Sequence, residues 1–193
     1  YTDIETQLKQ RTINISKFGI GAELFVKGLA KKVLLADNLS VLYSSICGHP
    51  QMSVFTSWLG ILAYTMQLYF DFSGYSDMAI GLGKMLGFDF NKNFDYPYIS
   101  TSVSEFWRRW HISLGSWFRD YIYIPLGGNR VSTLKHIRNI LVVWALTGLW
   151  HGASWNFVLW GVYYGLFLLL EKFVLQKYLK KIPSGFALYT LCL

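Results

Sequence analysis

Two long stretches of this chain contain no Asp, Glu, Lys or Arg, one over residues 38–70 and one over residues 139–170. A helix that spans a bilayer needs about 20 apolar residues. Only helices and closed barrels satisfy their backbone groups in lipid, and the alternating segments of about 10 residues that are typical of barrel strands are absent. Charged residues make up 15% of the chain, against about 25% in soluble domains. The sequence therefore predicts an all-α, polytopic integral membrane protein.

The second uncharged stretch has a length that fits neither one straight span nor two spans with a turn. Gly148, Gly152 and Ser154 lie near its middle, where a helix can break. A break at membrane depth is tolerated only where protein or a water-filled cavity surrounds it. We therefore expect short, re-entrant and interfacial helices around a central cavity, with His151 at a helix junction and facing inward.

His151 is the first candidate for a functional residue, because a histidine within a membrane segment is costly unless it is paired or faces water. Alternatively, a neutral imidazole could bond to a neighbouring helix and act only in packing. The glycines around His151 favour function, and so do its neighbours Trp150, Trp155 and Asn156, since aromatic residues with a few polar groups usually line ligand sites.

A second candidate, His111, lies in an Arg- and Trp-rich segment. Ser102 and Glu105 form a capping-box pattern and Pro125 ends the segment, so we predict one amphipathic helix over residues 102–124 near a membrane face. A histidine that faces headgroups or solvent is the stronger alternative from chemistry alone. Two histidines are too few for a zinc site, which normally takes three or four protein ligands.

Asp71 and Asp77 follow the first uncharged stretch directly. Carboxylates at membrane depth face a partner or a water path, so both are candidates for a tunnel or substrate path. An ordinary ion pair with an arginine is the alternative for either residue. No Gly-x-Ser-x-Gly pattern of a serine hydrolase occurs in the chain.

The net charge of +7 does not indicate nucleic-acid binding, because the basic residues form short clusters beside apolar runs. Such clusters are typical of cytoplasmic flanks and headgroup contacts, which makes the lipid bilayer the expected partner. Cys47 and Cys192 form neither a metal-binding nor a disulfide pattern. The chain begins at Tyr1 and stops within a short apolar segment over residues 186–193, so we expect both ends to be truncated.

Three motifs together resemble the membrane-bound O-acyltransferase family, and within it the bacterial alginate O-acetylation branch. They occur in the family's order and cover roughly residues 18–175: FDFSGYSDMAIG, SEFWRRWHISLGSWFRDYIYIPLGGNR and LTGLWHGASWNFVLWGVYYG. The resemblance implies a helical fold around a catalytic tunnel, with residues 1–193 as the central part of a single transmembrane domain. It also implies that His151 is the family's essential histidine and that His111 matches a second functional position.

The activity implied is transfer of an acetyl group from a cytoplasmic thioester, acetyl-CoA, toward hydroxyls of an extracellular polysaccharide. His151 would act as general base, at the inner membrane of a bacterium and together with a periplasmic or extracellular acetyltransferase partner. D-alanyl transfer to teichoic acid, a proton-coupled transporter and a scaffold for other acetyltransferases are the alternatives. The residues expected to line the tunnel or hold substrate are Asp71, Asp77, Arg108, Arg109, Trp150, Trp155 and Asn156.

Overall fold

The computed structural model describes residues 2–179, which divide into two compact units, one ending at Lys92 and the other beginning at Asn93. Within these residues the regular structure is helical and no strand occurs, which confirms the all-α prediction. The expected apolar segment over residues 186–193, with Cys192, lies outside the described part of the chain.

The first unit contains α1 (Thr2–Gln10), α2 (Ile15–Ala30), α3 (Asp37–Cys47) and α4 (Val54–Met85), with a π-helical segment, Lys31–Ala36, between α2 and α3. Helices α2 and α4 pack closely through glycines. A Cβ atom at Gly28 would lie 2.5 Å from the carbonyl oxygen of Gly74, and one at Gly21 would lie 2.6 Å from that of Gly81. Small residues therefore let the two backbones touch, as is common between helices in membranes.

The second unit begins with a 3₁₀ turn, Pro97–Ile99, and two seven-residue helices, α5 (Val103–Arg109) and α6 (Ile112–Phe118). A π-helical segment, Arg119–Tyr123, continues α6. It is followed by α7 (Thr133–His151), α8 (Trp155–Leu170), a π-helical segment, Glu171–Leu175, and α9 (Gln176–Leu179).

Both uncharged stretches are interrupted rather than forming single helices. Residues 48–53 separate α3 from α4, and residues 152–154 separate α7 from α8. Within the described residues, one helical run, Trp155–Tyr178 with 24 residues, is long and apolar enough to cross a membrane. Large apolar side chains are exposed along both units, including Phe55 at 76% and Leu134 at 80%. Apolar surface of this extent fits a protein that contacts lipid.

Candidate functional site

The predicted break in the second uncharged stretch is present, because α7 ends at His151 and α8 begins at Trp155. Close packing of α7 against α8 depends on glycine. A Cβ atom at Gly148 would collide with the carbonyl oxygen of Phe157 and lie 3.1 Å from the Cα atom of Val158. One at Gly161 would lie 3.1 Å from the Cα atom of Gly148. The two backbones therefore touch just before the break.

Hydrogen bonding fixes the tautomer of His151. Its Nδ1 atom lies 2.8 Å from the backbone carbonyl oxygen of Thr147, one helical turn earlier. Because a carbonyl oxygen can only accept, Nδ1 carries the proton and donates it. In the neutral imidazole the lone pair is then on Nε2, so Nε2 is the atom that can take a proton.

Two tryptophan rings flank His151 edge-to-face. The ring centroid of Trp150 lies 4.9 Å from that of His151, and the centroid of Trp160 lies 5.0 Å from it. The His151 side chain is exposed at the surface of the second unit rather than enclosed by it. Trp155 and Asn156 are exposed at the start of α8. Within the second unit, the imidazole ring is thus supported only on the side that faces α7 and α8.

His111 lies at a second break, so the prediction of one continuous helix over residues 102–124 is wrong. Helix α5 ends at Arg109, and His111 adopts a left-handed conformation with φ 49° and ψ 54° before α6 begins. A non-glycine residue in this region costs about 1 to 3 kcal/mol and persists only where its surroundings hold it. The break turns the His111 ring toward Trp150, with a centroid distance of 5.8 Å. Trp150 therefore contacts both histidines.

Burial and the nearby charge of His151 lower the pKa of His111 to about 4. His111 lies between two seven-residue helices and outside the apolar run over residues 155–178. Because burial disfavours the imidazolium form, this ring stays neutral near pH 7. His111 is thus suited to hydrogen bonding rather than to carrying a positive charge.

Asn93 holds the backbone and side chain around His111. Its Oδ1 atom lies 3.2 Å from His111 Nδ1, and it accepts hydrogen bonds from the Ser113 N–H at 3.0 Å and the Ser113 hydroxyl at 2.9 Å. Its backbone carbonyl accepts from the Ile112 N–H at 2.9 Å. Asn93 was not among the predicted residues, because the loop before α5 contains several Asn and Asp residues and nothing local distinguishes this one.

Arg109 also joins the loop to α5. It bonds Glu105 Oε1 at 2.8 Å and the carbonyl oxygen of Asp95 at 3.0 Å. The predicted capping box is present with one difference, which is the backbone N–H that the Glu105 carboxylate bonds. The Ser102 hydroxyl accepts from the Glu105 N–H, whereas the Glu105 carboxylate accepts from the N–H of Thr101. Arg109 thus has a bonded position, while Arg108 is exposed and donates to the Ser104 carbonyl.

The structure places Asp71 and Asp77 in the first unit, on α4, where each is engaged by a lysine. Lys32 Nζ lies 2.5 Å from Asp71 Oδ1, and Lys31 Nζ lies 2.6 Å from Asp77 Oδ2. The ion pairs that were the alternative for these carboxylates are therefore present, with lysine in place of the expected arginine.

Comparison with known proteins identifies a family over almost the whole chain. The model of the membrane-bound O-acyltransferase family matches residues 1–182. A probable alginate O-acetylase of Azotobacter vinelandii is 51% identical over 172 residues, which cover 89% of this chain and 34% of the relative. A peptidoglycan O-acetyltransferase of Helicobacter pylori is 39% identical, over 89% of this chain and 33% of its own length.

A more distant relative has a different acyl group in its name. The teichoic acid D-alanyltransferase of Bacillus subtilis is 34% identical over 173 residues, covering 83% of this chain and 41% of its own. The chain thus spans about a third of the length of the first curated relatives it matches.

Proposed function

The chain belongs to the membrane-bound O-acyltransferase family. From this we propose that the full-length protein moves acetyl groups from a cytoplasmic thioester, acetyl-CoA, toward hydroxyls of an extracellular polysaccharide. Two of the relatives reported above are named for O-acetylation of alginate and of peptidoglycan, which supports acetyl as the acyl group. We place the protein in the inner membrane of a bacterium, with several spans and an acetyltransferase partner outside the membrane.

The observation that carries the proposal is the state of His151. The Thr147 carbonyl accepts the Nδ1 proton at 2.8 Å, so Nε2 is the basic atom. A hydroxyl attacks a thioester carbonyl poorly unless a base removes its proton as the new bond forms. A neutral imidazole held in one tautomer meets that need.

We assign the reaction steps as follows. The acceptor hydroxyl oxygen bonds to the acetyl carbonyl carbon while its proton passes to His151 Nε2. The tetrahedral intermediate then expels the thiolate by breaking the carbon–sulfur bond, and the imidazolium returns the proton to sulfur. Burial keeps His111 neutral, and its ring contacts Trp150, which also contacts His151. His111 is therefore suited to accept a hydrogen bond from the polysaccharide and so to orient it.

Exposure of His151 in the second unit bears on where the rest of the site comes from. Since the second unit supports the ring on one side, we propose that other parts of the full-length protein close over it and exclude water. Exclusion of water is needed because a thioester and an activated base would otherwise favour hydrolysis. Asp71, Asp77, Arg108, Arg109, Trp155 and Asn156 remain our candidates for the path of the substrates.

The test replaces His151 by Gln or Ala in the full-length protein, in a strain that makes the acetylated polymer. Loss of a general base costs about 10² to 10⁴ in rate, so the acetyl content of the polymer should nearly vanish at an unchanged protein level. His49→Gln is the matched control, because His49 is an exposed histidine in the turn between α3 and α4. Near-normal acetylation with His151→Ala would remove the base from the proposal.

Two rival functions can be distinguished by measuring which acyl group is transferred and whether a solute is taken up. Membranes that contain the wild-type protein should release free thiol from acetyl-CoA in the presence of the polymer, and His151→Gln membranes should not. Transfer of D-alanine instead of acetyl would favour the activity named for the Bacillus subtilis relative. Proton-coupled solute uptake without acyl turnover would favour a transporter.

A further inference from the structure

Asn93 and the segment after α5 form a compact clamp around His111. The Ile112 N–H donates to the Asn93 carbonyl at 2.9 Å, and the Asp95 N–H donates to the Arg109 carbonyl at 2.9 Å. These two bonds lie on either side of His111 and join the loop to both ends of the break. The left-handed residue is therefore held by backbone pairing from its two flanks.

The side chain of Asn93 adds a specific contact to this clamp. Its Oδ1 accepts the backbone N–H of Ser113, which identifies that atom as the oxygen, because a backbone N–H only donates. His111 Nδ1 lies 3.2 Å from the same oxygen. The bond requires the proton on Nδ1, which leaves the lone pair of the neutral ring on Nε2.

We propose that Asn93 is a positioning residue for the acyl transfer, holding His111 as the Nδ1–H tautomer so that Nε2 is presented as an acceptor beside Trp150. This inference rests on the proposed function and adds a residue to it. Asn93 does for His111 what the Thr147 carbonyl does for His151. The two imidazoles thus share a tautomer and a common aromatic neighbour, although they are held by unrelated parts of the second unit.

The charges around His111 determine how this role is tested. His151, at the end of α7, is the titratable group whose charge acts on His111. In the clamp itself, Arg109 is engaged by Glu105 and by Asp95. Asn93 is neutral, so its replacement by Asp changes the charge at the Nδ1 contact while keeping an acceptor oxygen of nearly the same shape.

The first measurement determines the tautomer of His111 in the wild-type protein. In the full-length protein with isotope-labelled histidine, the ring-nitrogen NMR signals of His111 should report an Nδ1–H tautomer that stays neutral down to mildly acidic pH. Its signals are assigned as those lost in His111→Asn, since Asn tolerates a left-handed backbone and keeps a donor. A wild-type His111 ring protonated on Nε2 instead would overturn the proposal at once.

The second measurement uses Asn93→Asp, with Asn91→Asp as the matched control two residues earlier, at an exposed position of the same loop. A carboxylate against Nδ1 favours the imidazolium, so the titration midpoint of His111 should rise by at least about one pH unit. The acidic limb of the kcat/KM profile for acetyl-CoA-dependent transfer should move up in the same direction. Asn91→Asp should leave the titration midpoint of His111 and the acidic limb of the kcat/KM profile at their wild-type positions.

If Asn93 had only a structural role, Asn93→Asp would leave the titration of His111 unchanged, because the Asp oxygen would accept the same hydrogen bonds. An Asn93→Asp titration that matches wild type, or an acidic-limb shift that persists in Asn93→Asp/His111→Asn, would overturn the proposal. Failure of the proposed function shows up separately, as activity that survives His151→Gln. An active, His151-dependent enzyme with an unmoved His111 titration therefore refutes the role of Asn93 alone.

Discussion

Replacement of Gly148 by Ala tests whether the position of His151 depends on the contact between α7 and α8. The added Cβ atom would collide with the Phe157 carbonyl oxygen and would lie 2.9 Å from its carbon and 3.1 Å from the Cα atom of Val158. All three atoms belong to the backbone of α8 and cannot rotate away. The helices must therefore separate by roughly an ångström before the contacts become ordinary van der Waals contacts.

Such a separation moves the His151 ring relative to Trp160, which lies on α8. Overpacking of this kind costs about 1 to 3 kcal/mol of folding free energy. A misplacement of about 1 Å in a catalytic group can lower the rate by about 10². We expect kcat/KM for acetyl-CoA-dependent transfer to fall by about that factor, with a lowered unfolding temperature in detergent.

The matched control is Gly115→Ala on α6, where the nearest atom outside its immediate neighbours, the Trp107 carbonyl oxygen, is 3.9 Å from the added Cβ atom. Alanine stabilises helices relative to glycine by up to about 1 kcal/mol, so this variant should be at least as stable as wild type and equally active. A Gly148→Ala protein with kcat/KM within about threefold of wild type would show that His151 tolerates the displacement and would refute the reasoning.

Two further variants test contacts within the second unit, one between α5 and the loop before it and one on α7. Glu105→Gln should lower the unfolding temperature at pH 7 and have less effect as the pH falls, measured by thermal unfolding across pH. The Thr101 N–H lowers the pKa of Glu105, so its stabilising contribution is present above the unfolded pKa and is lost as the pH falls through the lowered folded value. Asn139→Ala should destabilise the protein by about 2 to 5 kcal/mol in denaturant unfolding, because the fully buried Asn139 amide bonds the carbonyls of Leu126 and Gly128. An Asn139→Ala midpoint equal to wild type would contradict this.

The break at His151 could be predicted from the sequence because its cause is local. Two glycines and a serine interrupt an apolar run whose length fits neither one span nor two, and α7 ends within one residue of Gly152. The turn after α3 has the same kind of local cause, since Gly48 and Pro50 lie within it. Where a helix ends because of its own residues, composition and periodicity are sufficient.

The break at His111 could not be predicted in this way, because neither glycine nor proline marks it. His111 takes positive φ because Asn93, eighteen positions earlier, bonds both the ring and the two residues that follow. The partners of Asp71 and Asp77 were missed for a similar reason. Lys31 lies 46 positions before Asp77, and Lys32 lies 39 positions before Asp71, so no local pattern in the sequence pairs them.

The π-helical segment Glu171–Leu175 has a consequence for how this sequence can vary. A π turn accommodates one residue more than the α-helix it interrupts, so a one-residue deletion there would convert it to regular α-helix without a chain break. Because the extra residue is taken up within the turn itself, the residues on either side of it would keep their register. Glu171, which accepts from the Ser104 N–H, and Lys172, which contacts His136, open the segment. A deletion among the three residues that follow them would therefore spare both contacts, so the length of this helix can vary by one residue where its side-chain contacts do not.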